Sequence, residues 1–208
     1  KNANKYIKKI NNAYFAYEIS EEHLKKFKIN KYIKKYYSPK IDKNFKLTAK
    51  KIKKGEIVAV CIDKMEFGAR ALGHRSFMCD PSNIKAKEKL NNLIKQRDFW
   101  MPFTPSILSD NFSSYVKGKT KYCNKYMTMS YDSSELAQKH LKAAIHPKDL
   151  TIRPQLVSPN VCKKYYKLIK EFKKISGIGA VLNTSLNIHE KPIIMDPQDI
   201  VNDFIISK

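Results

Sequence analysis

Arginine is nearly missing from a strongly basic chain. Of 41 basic residues only four are arginine, Arg70, Arg75, Arg97 and Arg153, and the other 37 are lysine. Lysine serves wherever a solvated positive charge suffices, so the surviving arginines mark places that need a planar, five-donor fork. Cysteine is scarce as well. Cys61, Cys79, Cys123 and Cys162 lie 18, 44 and 39 residues apart, with no C-x-x-C pair and no histidine at ligand spacing. That excludes a zinc site and a disulfide scaffold and predicts reduced thiols in a cytoplasmic protein. No apolar run approaches the ~18 residues of a membrane-spanning helix. The chain starts at Lys1 without the apolar stretch of a signal peptide and is expected to be part of a longer protein.

A length of 208 residues accommodates one large domain or two small ones, and 42% hydrophobic residues can build a core. A soluble globular protein is expected. Against the 41 basic residues stand 19 acidic ones, a net charge of +22. Such a field draws nucleic acid, anionic surfaces or phosphorylated ligands.

Residues 1–45 read as a lysine-rich, helical lead-in or inter-domain segment, with Ser20 starting a helix ahead of Leu24 and Phe27. From residue 46 to 208 strand-like and helix-like segments alternate, which predicts one α/β domain. Thr48 to Lys54 reads as a helix closed by Gly55, Ile57 to Ile62 as a buried strand, and Arg75 to Cys79 as a second strand. A helix from Ser82 to Gln96, capped by Asp80 with Pro81 at its first position, places Leu90, Leu93 and Ile94 on one face. Pro102 to Leu108 is apolar, and Ser109 to Lys125 reads as a loop. Strands are expected at Tyr126–Tyr131 and Thr151–Val157, the latter an edge because of Pro154. Ser133 to Leu141 reads as a short helix. An amphipathic helix from Val161 to Ile175 ends at Gly177, Ala180 to Leu182 is a buried strand, and Asp196-Pro197 opens a last helix.

Four segments carry candidate chemistry. Lys64 to Ser76 sets Gly68 and Gly73 around Arg70, with His74 and Arg75 directly after. At the carboxyl end of a strand such glycines let backbone approach an anion; the alternative is a tight turn whose arginines pair with Glu66. Lys95 to Phe103 places Lys95 and Arg97 beside Phe99 and Trp100, which suits phosphate and an adenine ring, although core packing would equally use the aromatics. Arg153-Pro154-Gln155 offers a third fork and an amide. Asn183-Thr184-Ser185-Leu186-Asn187 gathers short hydrogen-bonding side chains at a strand end, suited to phosphate oxygens or to capping a turn.

Taken in order, these segments resemble the carboxy-terminal domain of the O-carbamoyltransferases of the NodU/CmcH type. That family's pattern runs E-F-G-P-R-A-L-G-x-R-S, then K-x-R and R-P-F-A-P-S, then R-x-Q, then L-N-T-S-F-N; the matches are Glu66 to Ser76, Lys95 to Leu108, Arg153 to Gln155 and Leu182 to Asn187. The resemblance implies a YrdC-like α/β domain, a twisted mixed sheet flanked by helices, that binds ATP and carbamoyl phosphate, with Mg²⁺, and forms a carbamoyl adenylate. A separate amino-terminal domain of the same protein would pass the carbamoyl group to an acceptor hydroxyl. It further implies that Arg70, Lys95, Arg153 and Ser185 act on the phosphate and carbamoyl groups, with His74, Arg75, Arg97, Gln155, Asn183, Thr184 and Asn187 binding nearby. Three positions depart from the pattern: Ala69 stands for a proline, Met101 for an arginine before Pro-Phe, and Leu186 for a phenylalanine. Met101 removes one anion contact. The alternatives are a basic, tRNA-like nucleic-acid-binding module, and a domain that binds nucleotide without turnover.

Overall fold

The computed structural model describes residues 13–23, 25, 42–98, 100–118, 124–196 and 199. Strand β1 (Tyr14–Glu18) comes from the expected helical lead-in. Helix α1 (Lys46–Lys53) follows, then β2 (Val58–Cys61), β3 (Lys64–Glu66), β4 (Arg75–Cys79), α2 (Ile84–Leu90), β5 (Thr104–Leu108), α3 (Phe112–Tyr115), β6 (Tyr131–Asp132) and α4 (Glu135–His140). The chain continues through β7 (Thr151–Ile152), β8 (Gln155–Val157), α5 (Lys163–Ser176) and β9 (Ala180–Ser185).

Five strands form the central sheet in the order β2-β4-β9-β5-β8. Only the β5–β8 pair is parallel, so the sheet is mixed. Strands β4 and β5 are buried along their whole length, as inner strands between two helical layers must be. Alternation sends Met78 and Val181 to one face, where α1 and α5 cover them, and Phe77, Cys79 and Leu182 to the other, against Ala86 and Leu90 of α2. Tyr165, Leu168, Ile169 and Phe172 line the inward stripe of α5, each contributing about 1.5–3 kcal/mol through burial. Gly177 ends that helix in a left-handed conformation at φ +77°, and its amide returns to the Lys173 carbonyl.

Several local expectations are corrected. Strand β2 is an edge with Ala59 and Cys61 outward. Asp80 turns back onto Ser82, and Asn83 caps α2 by accepting the Ala86 amide. The expected loop after β5 holds α3, with Phe112 and Tyr115 in the core. Arg153-Pro154 splits one expected strand into β7 and β8 because proline gives no ladder donor. Only Tyr131 of the expected 126–131 strand is paired. Ser20 does begin a short helical turn, accepting the His23 amide. Leu24, Phe27, Phe99, Cys123 and the helix expected after Asp196 lie outside the described residues, save Asp199. Cys61, Cys79 and Cys162 are free thiols. Among the described residues no helix is long and apolar enough to cross a membrane.

Candidate functional site

The glycine loop between β3 and β4 wraps around an anion, and the anion is the protein's own. Glu66 closes β3 and is 1% exposed. Its Oε1 accepts the amides of Leu72 at 2.5 Å, His74 at 3.2 Å and Arg75 at 3.4 Å. Glycine is required at residue 73. Its φ is +106°, and an added Cβ would sit 2.1 Å from the Tyr165 ring. The backbone approach expected for a ligand is therefore spent on Glu66, and the loop presents exposed Arg70 instead. Nor does Glu66 pair with an arginine side chain, as the turn alternative expected.

Arg70, Arg97 and Arg153 come from three distant segments and meet. Burial, then Arg70, then Arg153 hold the Arg97 guanidinium below its usual range; burial, then Arg70, do the same to Arg153. A guanidinium stays charged nonetheless, so these shifts record a concentrated positive potential. No carboxylate pairs with any of the three among the described residues. The Arg153 Nε is buried without a hydrogen-bond partner. Arg97 lies over the Phe103 ring at 5.4 Å. Its backbone is bracketed by Asn91, whose Oδ1 accepts the Arg97 amide at 3.1 Å and whose Nδ2 donates to the Arg97 carbonyl at 2.9 Å.

Lys95 reaches the same region through a departure from helical periodicity. After α2 the chain makes a wider turn over Asn91–Lys95, where the Gln96 amide bonds the Asn91 carbonyl five residues back. That extra residue rotates the following side chains: Leu93, expected inward, is 64% exposed, and Lys95 is 2% exposed. Its Nζ donates to the Ser185 carbonyl at 2.6 Å and Oγ at 3.1 Å, and to the Asn187 carbonyl at 2.9 Å and Oδ1 at 2.6 Å. Ser185 Oγ donates in turn to Asn187 Oδ1 at 2.6 Å. Burial first, and Arg97 second, push the Lys95 ammonium down to about 7.

The other expected ligand residues face inward. Arg75 is 0% exposed. Its Nε donates to the Met195 carbonyl, Nη1 to Ile62 and His74, and Nη2 to Tyr17 and Asp63, which uses all five donors on backbone. His74 is buried with Nδ1 on the Lys64 carbonyl and Nε2 on Cys162 Sγ, stacked on Tyr14; burial pushes it down, so the imidazole is neutral. Burial pushes the Cys162 thiol up to about 12, which leaves it a donor to that imidazole. Gln155 donates to the Leu72 carbonyl and accepts from Ser106, and Asn183 Nδ2 donates to the Ala71 carbonyl and Ser106. Thr184 is buried opposite Phe77. These side chains, expected at a ligand, build the floor under the arginine loop. Trp100 and Met101 are about half exposed.

Glu66, Asn91 and the inward turn of Lys95 were missed. An E-F-G string followed by Arg-Ala-Leu-Gly was the available signal for Glu66, because a carboxylate directly before a glycine turn can collect the turn's amides. Among the described residues no group of three or more His, Cys, Asp or Glu is placed to hold a metal ion.

The fold matches solved structures that share little sequence. Full-length HypF, in its phosphate- and nucleotide-bound form, superimposes with a TM-score of 0.59 at 18% identity, over 81% of this chain and 20% of that one. Sua5 of P. abyssi, complexed with L-threonine, gives 0.56 at 14% identity, over 81% of this chain and 46% of that one. These are the YrdC-like folds the sequence predicted. An uncharacterized protein of Methanocaldococcus jannaschii is 40% identical over 159 residues, 76% of this chain and 26% of that protein. Nodulation protein NolNO of Sinorhizobium fredii is 31% identical over 152 residues, 73% and 22%. The chain thus spans about a quarter of the curated relatives it matches. Residues 49–208 match the family model for the carbamoyltransferase C-terminus, and the chain belongs to that family.

Proposed function

We propose that the chain is the carbamoyl-adenylate-forming domain of a carbamoyltransferase. It would bind ATP and carbamoyl phosphate, with transfer to an acceptor hydroxyl performed by an amino-terminal domain of the full-length protein. The convergence of Arg70, Arg97 and Arg153 without a carboxylate partner carries this reading, since three like charges tolerate one another best around a shared anion. The resemblance to a phosphate- and nucleotide-bound HypF structure supports it. Charge builds on the departing pyrophosphate, and fixed guanidinium donors stabilise it without reorganising. Mg²⁺ would arrive on ATP as part of the substrate, because it binds chiefly through phosphate oxygens. Among the described residues, α1 and α5 on one sheet face and α2 on the other each carry lysines in the last turn, so these helices spread their charge over both faces.

The test is pyrophosphate release from ATP that depends on carbamoyl phosphate. Arg70→Lys should lower it at least tenfold, about 1.4 kcal/mol, because an ammonium loses the two-pronged contact. Equal rates would remove the fork from the argument. Nucleotide binding without release would identify a domain that has lost turnover.

Lys95 adds a pH dependence. With its transition pushed down to about 7, the ammonium is charged below that pH and neutral above it. Pyrophosphate affinity, followed by calorimetry, should fall about tenfold between about pH 6 and about pH 8. Lys95→Arg stays charged throughout. It should leave only the ligand's own titration; an unchanged slope in that variant would show that Lys95 is not the titrating group.

A further inference from the structure

We infer that Glu66 is the positioning residue for Arg70, an inference that rests on the anion-binding reading of the arginine cluster and goes beyond it by assigning a carboxylate that never meets the ligand. Three successive chain turns are fixed by one oxygen. The amides of Leu72, His74 and Arg75 converge on Glu66 Oε1, while the Gly73 amide between them donates to Ser76 Oγ at 3.1 Å. Every amide from residue 72 to 75 is thereby held by a side chain. From the far side the Leu72 carbonyl accepts from Gln155 Nε2 and from the Tyr14 hydroxyl, both at 2.9 Å, and the Ala71 carbonyl accepts from Asn183 Nδ2 at 3.0 Å. The stem of the loop is rigid and its tip is not: no hydrogen bond anchors Gly68 or Arg70 among the described residues, and nothing lies within 4 Å of a Cβ placed on Gly68.

Glu66 holds that stem with charge-assisted bonds, roughly twice the strength of neutral ones. Glu66 and Arg75, whose amide it binds, are both buried, and Glu66 Oε2 is buried without a hydrogen-bond partner, so the clamp is made by Oε1. Arg70 therefore stands on the unanchored tip of a held stem, two residues ahead of the first clamped amide. Without the clamp Arg70 would have to be ordered by the ligand, and that ordering would be drawn from affinity.

The experiment measures pyrophosphate binding to four proteins: wild type, Glu66→Gln, Arg70→Ala and the double variant. Glutamine keeps one carbonyl oxygen for the amides and removes the charge. The expected result is a roughly tenfold weaker affinity for Glu66→Gln in the presence of Arg70 and no further loss once Arg70 is alanine. Circular dichroism and thermal melts check that each variant is folded at the binding temperature. Should Glu66→Gln not fold, Glu66→Asp serves, since a shorter carboxylate keeps the charge and displaces the amides. An equal loss in both backgrounds would make Glu66 a purely structural residue and overturn the inference, as would an undiminished affinity in a folded Glu66→Gln or no binding by the wild type. Pyrophosphate binding that behaves as expected, without carbamoyl-phosphate-dependent turnover, would instead sink the enzymatic reading and leave the role of Glu66 intact.

Discussion

Arg75→Lys should destabilise the protein by about 3 kcal/mol, seen as a fall in melting temperature of about 6–12 °C for a chain of this size. The guanidinium meets five carbonyls with five donors, from Tyr17 in β1, Ile62 and Asp63 after β2, His74 before β4, and Met195 near the other end of the chain. Lysine carries three donors on a single nitrogen, so at least two carbonyls would lose their side-chain donor; the His74 carbonyl also accepts the Ile62 amide, and each of the others left buried without a partner costs about 1–3 kcal/mol. Arg75→Met should cost more. It takes the side-chain donor from all five carbonyls at once, of which that of His74 still accepts the Ile62 amide at 2.9 Å. Urea denaturation of both variants decides the matter, and a lysine variant within about 0.5 kcal/mol of wild type would show that water replaces the fork.

The scarcity of arginine was informative, but it reported a geometric requirement rather than a ligand. At Arg75 the planar, multi-donor head is used in full, on five carbonyls. The other three lie close enough to act on one another's charge, with no carboxylate paired to them among the described residues. A phosphate and a set of carbonyl oxygens make the same demand of a side chain, so composition could not separate Arg75 from Arg70. Strands β4 and β9 were legible because inner strands carry short apolar runs, whereas β5 was read only as an apolar segment. Lys95 was recognised by its place in a motif, yet the helical pattern put Leu93 inside; the wide turn at residues 91–95 spends one residue that no 3.6-residue period anticipates. His74 and Gln155 share motifs with the exposed Arg70 and the half-buried Arg153, and Asn183 with the half-buried Ser185, but all three are themselves buried. A sequence string records both the contact and its support and does not mark which is which.

Gly73→Ala should be the most damaging small substitution in the loop, and comparison with Gly68→Ala separates its two causes. Both glycines occupy the left-handed region, at φ +106° and +116°. A side chain at Gly68 meets nothing within 4 Å, so that variant should cost only the backbone strain, about 1–2 kcal/mol. At Gly73 the new carbon falls 2.1 Å and 2.2 Å from two ring atoms of Tyr165, which α5 holds fully buried in the core. The ring has no space to retreat, and overpacking adds about 1–3 kcal/mol to the same strain. The total, about 2–5 kcal/mol, should shift the urea midpoint beyond that of Gly68→Ala. Relief must come at the expense of the loop, whose stem carries Arg70, so a folded Gly73→Ala protein should also bind pyrophosphate more weakly than Gly68→Ala. Tyr165→Leu supplies the control: in the Gly73→Ala background it removes the collision and should cost less than it does alone. If the two glycine variants lose the same stability, or Tyr165→Leu costs the same in both backgrounds, the contact between Gly73 and the Tyr165 ring is not what requires glycine at that position.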